Sequence, residues 1–100
     1  MSVVEHAHLM VTPGREQEFE AAYLGAEQLL TGSAGCLEAG LFRDSEESSS
    51  YLLRVRWEKL TDHTEAFPAS ADGQKFVSIV GPFFASPPTV RHFDAEPVGG

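Results

Sequence analysis

Residues 51–57 read Tyr-Leu-Leu-Arg-Val-Arg-Trp, and the two-residue alternation of this stretch is the signature of a β-strand. Tyr51, Leu53, Val55 and Trp57 fall on one face, and Leu52, Arg54 and Arg56 on the other. Upstream, the polar run Asp44–Ser50 (DSEESSS) is wide enough for an open hairpin loop and joins this strand to a second alternating segment, Leu37–Arg43. Further back, Val3–Val11 (VVEHAHLMV) is rich in branched and apolar residues and stops at Thr12-Pro13-Gly14, as a strand does. Between these strands Phe19, Ala22, Tyr23, Ala26, Leu29 and Leu30 recur at helical spacing. They predict a helix from about Pro13 to Leu30, ended by Gly32 and Gly35. Thr12 is placed to cap it, Pro13 to take its first position, and Glu16 and Glu18 to meet the positive end of its dipole.

After Trp57 the period changes. Leu60, His63, Thr64 and Phe67 share one side of a short helix that Pro68 stops. A second helical piece, about Ser70 to Val80, turns Phe76, Ile79 and Val80 inward, with Phe83 following, and Gly81-Pro82 ends it. Pro87-Pro88 precedes a last strand, Thr89–Asp94 (TVRHFD), and residues 96–100 read as a flexible tail. Four strands with helices after the first and third make an α+β, ferredoxin-like βαββαβ fold, a four-stranded antiparallel sheet in a single domain over residues 1–100. Two helices cover only one face of such a sheet, yet apolar residues stand on both: Val4 and Met10 oppose Leu9 and Val11, and Leu52 opposes Leu53. A bare face of that kind is rare on monomers, so a homodimer is expected.

The bulk properties agree. One hundred residues, 42% hydrophobic and 22% charged, suit one ordinary core. The net charge of −8, from fifteen acids against seven Lys and Arg, repels phosphate backbones and anionic lipid, so neither nucleic acid nor membrane is an expected partner. No run approaches the roughly 18 apolar residues of a membrane span, and Met1–Met10 lacks the pattern of a signal peptide. A cytoplasmic location is expected. Cys36, the single cysteine, rules out an internal disulfide and a thiolate zinc cluster, and has no sequence neighbour that would activate it.

The segment RWEKLTDHTEAFPASADGQKFVSIVGPFFASPPTVRHFD (Arg56–Asp94) resembles the second half of antibiotic biosynthesis monooxygenase domains, which are small dimeric α/β barrels. Trp57, His63 and Gly81-Pro82-Phe83 are the points of likeness, and VVEHAHLMVTPGREQEFEAAY (Val3–Tyr23) resembles the opening strand and helix of that family. The resemblance implies several activities. Some members oxygenate phenolic polyketides without metal or flavin, others degrade haem, and others process small signalling molecules. Haem-degrading members carry an Asn on the first strand, a Trp ending the third, and a His about ten residues later. Here Trp57 matches, but Ala7 and Phe67 stand at the other two positions, so haem degradation is not expected.

The expectation is a cofactor-independent monooxygenase acting on a small aromatic or polyketide-like substrate. The alternative is a non-catalytic dimer of the same fold that binds a small ligand. Oxygenation without a cofactor needs an electron-rich substrate, one base and exclusion of water. His63, on the inner side with Phe67, is the candidate base, and Trp57 the candidate orienting residue. Tyr51, Leu53 and Val55 are candidates for the substrate-binding floor, and Tyr23, Phe67, Phe76 and Phe83 for the walls. No cofactor is expected. A weaker metal alternative uses His6 and His8, which point the same way on a strand, with His92 and Glu5 or Glu38 completing the set. If Ala7 faces the pocket, as the resemblance implies, His6 and His8 lie on the dimer side, where they would make association depend on pH. Arg54 and Arg56 share that side and call for carboxylate partners, Glu5 or Glu38.

Overall fold

A computed structural model describes all residues, Met1–Gly100. The strands are β1 (Val3–Met10), β2 (Cys36–Arg43), β3 (Ser50–Trp57) and β4 (Thr89–Asp94), all antiparallel in the order β2-β3-β1-β4. Helix α1 (Glu16–Thr31) crosses from β1 to β2. A π-helical turn (Asp62–Ala66), the one-turn α2 (Phe67–Ala69), α3 (Ala71–Val80) and a 3-10 turn (Gly81–Phe83) lead from β3 to β4. This is the ferredoxin-like arrangement. Its extents, 40 × 34 × 19 Å, are those of a slab of one sheet and one helix layer.

Helix α1 begins at Glu16, later than Pro13, and Thr12 does not cap it. Gly14 sits at φ +91°, a left-handed conformation that interrupts any helical run through it. Its amide instead donates to Glu16 Oε1 at 2.9 Å. The segment after β3 departs further from simple helical spacing. The π-helical turn shifts the facing direction, so His63 and Phe67 turn inward while Leu60 is 44% exposed and Thr64 points to solvent. Pro68 lies within α2 and does not stop it; the chain breaks at Ser70, whose Oγ accepts from the Gly73 amide at 2.9 Å and caps α3.

The core lies between the helices and one sheet face. Ala7 and Leu9 of β1 and Tyr51, Leu53, Val55 and Trp57 of β3 meet Phe19, Tyr23, Ala26 and Leu30 of α1 and Phe76 and Val80 of α3. The other face has no helix. It presents Val4, His6, His8, Met10, Leu52, Arg54 and Arg56, with Phe42 and Phe93 about half exposed on the flanking strands. Here Glu38 reaches Arg54 at 3.4 Å, as expected, but Glu5 does not: it belongs to the helix-facing side. Arg56 reaches only Ser2, at 3.4 Å, and its buried Nε has no partner.

Candidate active site

A cavity of about 230 Å³ lies between the sheet and α1 and α3, and twelve of its sixteen lining residues are hydrophobic. Of the residues expected to bind substrate, Tyr23, Leu53, Phe67 and Phe76 line it. Tyr51, Val55 and Phe83 do not. Tyr51 packs edge-on against Phe19 and donates its hydroxyl to Glu20 Oε2 at 2.7 Å. Val55 is fully buried in the core, and Phe83 lies under the Arg15 guanidinium, 4.4 Å from ring centroid to Cζ. The Tyr23 hydroxyl is buried without a hydrogen-bond partner, and burial, followed by Glu27, holds the phenol above its ordinary range.

Among the lining residues stands Glu5, expected as a partner of Arg54 and Arg56 on the other face although alternation places it with Ala7. It is 4% exposed. Register explains its partners. On β1 it faces Val55 of β3 and His92 of β4, and Trp57 is its diagonal neighbour, within reach of an aromatic side chain. Trp57 Nε1 donates to Glu5 Oε1 at 2.9 Å, and His63 Nε2 approaches the same oxygen at 3.3 Å. The His63 ring stacks on Trp57, with centroids 5.4 Å apart and planes 15° from parallel. His63 Nδ1 lies 2.7 Å from His92 Nε2. Trp57 is thus a platform and a donor behind the site, outside the cavity lining, while Glu5 and His63 line it.

Burial governs the charges. It raises the Glu5 carboxyl from an ordinary 4.5 to about 7, although the Trp57 hydrogen bond pulls the other way. Burial, and secondly His92, lowers His63 from 6.5 to about 4. With the imidazole neutral at pH 7, the 3.3 Å approach is not an ion pair. An acid made weaker and a base made weaker, side by side in an apolar hollow, suit proton transfer near neutrality. Cys36 is different: burial pushes its thiol up, which disfavours the thiolate.

The metal alternative does not assemble. His6 and His8 are on the open sheet face, His6 against the Phe93 ring and His8 on Ser50 Oγ at 2.7 Å, whereas His92 points to the helix side. Glu5, His63 and His92 are two histidines and a carboxylate, but their contacts fall on opposite nitrogens of the His63 ring. They form a chain and do not converge on one point, and no group of three His, Cys, Asp or Glu in the molecule could hold a metal ion. Haem chemistry fits no better. Ala7 and Phe67, at the two positions where the haem-degrading pattern has Asn and His, line the cavity and offer it only a methyl group and a phenyl ring.

The model of the antibiotic biosynthesis monooxygenase family matches residues 2–78. A Bacillus subtilis protein, the uncharacterized YczJ, is 41% identical over 91 residues, covering 91% of this chain and 96% of its own. A solved structure from Bordetella bronchiseptica, named for antibiotic biosynthesis monooxygenases, superposes with a TM-score of 0.90 at 38% identity, over 95% of this chain and 97% of that one. SnoaB of Streptomyces nogalater, a cofactor-independent oxygenase, shares the fold with a TM-score of 0.80 at 17% identity, over 98% and 96% of the two chains. The chain belongs to the antibiotic biosynthesis monooxygenase family.

Proposed function

We propose that this protein is a cofactor-independent monooxygenase acting on a compact, electron-rich aromatic molecule. The observation that carries the reading is the buried Glu5–His63 couple at the end of an otherwise apolar cavity. SnoaB supports it as a fold relative with that kind of activity. A hollow of about 230 Å³ compares with the ~150 Å³ that encloses benzene, and so suits a molecule of one to three rings. The couple takes one proton from an activated CH2 group. The resulting anion passes one electron to O2, and the radical and superoxide join in a C–O bond. Protonation gives a hydroperoxide, and loss of water leaves C=O. One O2 is consumed, one of its atoms ending in product and the other in water with both former C–H hydrogens.

His63 stands beside the Glu5 carboxyl, and Trp57 holds both partners in place. Oxygen uptake by the metal-free protein with anthrone, which carries such a CH2, tests the reading. His63→Ala is expected to lower the rate by about 10²-fold or more. An undiminished rate removes His63 from the mechanism, and tight ligand binding with no turnover by wild type favours a non-catalytic binder. The reading includes a homodimer. Phe42, Leu52, Met10 and Phe93 share the helix-free sheet face, and a second copy packed there removes them from water.

A further inference from the structure

The protons of the couple can be placed from its neighbours. Nδ1 of His63 is taken up by His92 at 2.7 Å, Nε2 lies 3.3 Å from Glu5 Oε1, and one ring face is covered by Trp57. If Nδ1 accepts from His92 Nε2–H, the single proton of neutral His63 sits on Nε2, the nitrogen beside the carboxylate. Glu5 is engaged differently. Both of its contacts, from Trp57 and from His63, fall on Oε1, so Oε2 is the oxygen left for a ligand. The groups around Glu5 are Trp57 and the Cys36 thiol from the sheet, His63 from the π-helical turn and His92 from β4. No Lys or Arg lines the cavity, so an anionic ligand would meet the carboxylate with no counter-charge.

We propose that Glu5 is the catalytic base, taking a proton through Oε2 from a neutral carbon acid, and that His92 is a positioning residue that fixes the His63 tautomer. This rests on the oxygenase reading for the fate of the anion, but not for its formation. In the step, the substrate C–H bond breaks, an O–H bond forms on Glu5, and the electron pair stays on the substrate carbon as an enolate. Trp57 Nε1–H holds Oε1 throughout, with His63 beside it, which leaves Oε2 for the substrate.

The anaerobic exchange of 2-tetralone in D2O tests this. The probe is a neutral bicyclic ketone with a benzylic CH2 beside the carbonyl, and deuterium wash-in at that carbon is followed by proton NMR. Wild type is expected to accelerate wash-in with a rate that rises as Glu5 ionises. Glu5→Gln should lower it at least about 100-fold while still binding tetralone, as read by Trp57 fluorescence. His92→Ala should lower the rate about tenfold and move the acid limb to higher pH, because His63 is then free to carry its proton on Nδ1, away from the carboxylate. His92→Gln keeps an N–H donor and should restore both. Wash-in by Glu5→Gln at the wild-type rate overturns the assignment, as does the absence of wash-in from wild type with tetralone bound. Identical rates and pH profiles for His92→Ala and wild type overturn the role of His92. Wash-in without oxygen uptake in air sinks the oxygenase reading and leaves Glu5 as the base. Oxygen uptake with Glu5→Gln unimpaired does the reverse.

Discussion

Glu5 and His63 exchange a proton on folding, which has a measurable consequence. Between about pH 4.5 and 6.5 the unfolded chain carries the proton on His63, while the folded chain carries it on Glu5. Each state then binds one proton at this pair, so the pair contributes no net slope to stability in that window. The single variants separate the two terms. In Glu5→Gln only His63 remains, whose lowered pKa gives stability present above 6.5 and lost as pH falls toward about 4. In His63→Ala only the raised Glu5 remains, giving stability present below 4.5 and lost as pH rises through about 7. Urea midpoints measured from pH 4 to 8 should therefore slope in opposite directions for the two variants, by up to about 3 kcal/mol each. Parallel slopes would remove the coupling. Trp57→Phe takes away the donor that lowers the Glu5 carboxyl. The pH profile of the reaction should move to higher pH, and stability should fall by about 1 to 3 kcal/mol, read as a lower Tm. Glu5 escaped notice as a site residue because the pattern groups it with Ala7 but does not tell a buried acid from one paired with a nearby arginine. Alternation marks two faces without saying which one the helices cover.

At the scale of the elements, the strands were legible and the segment after β3 was not. Period-two spacing places β3 and β4 within a residue, because a strand face is set by pleat geometry alone. The region 60–70 mixes a π-helical turn with one turn of α-helix, and each residue added per turn rotates the downstream chain, so Leu60 ended outside and His63 inside. The junction with α3 is held by two small residues. A Cβ on Gly73 would collide with the Phe67 carbonyl oxygen, and Ser70 Oγ caps the first turn. Gly73→Ala should destabilise the protein by more than about 2 kcal/mol and pull Phe67 off the cavity wall. Ser70→Ala should cost about 1 kcal/mol. Thermal unfolding checks both, and a Gly73→Ala protein melting at the wild-type temperature would mean the junction relaxes without loss.

At the scale of the whole molecule, the 19 Å thickness leaves the second sheet face without a layer of its own. Phe42 and Phe93 are each about half exposed there. Sedimentation equilibrium at micromolar concentration should give the mass of two chains. Phe93→Asp together with Phe42→Glu should halve it, since each places a desolvated charge in an apolar contact. A wild-type monomer would leave the open face in need of another explanation.

Composition, period-two strands and one strong helical stripe determined the βαββαβ order and the membership of most of the core, because burial periodicity is local and survives in the linear chain. Resemblance added Trp57 and His63. The tertiary structure decided the rest. It brought Glu5, His63 and His92 from three distant segments into one chain of contacts and kept His92 apart from His6 and His8. It also moved Tyr51, Val55 and Phe83 off the cavity. These outcomes depend on register between strands distant in sequence and on the turn geometry before α3, and on the low dielectric of the cavity that moves two protonation equilibria past one another. None of these is a property of any short stretch of sequence.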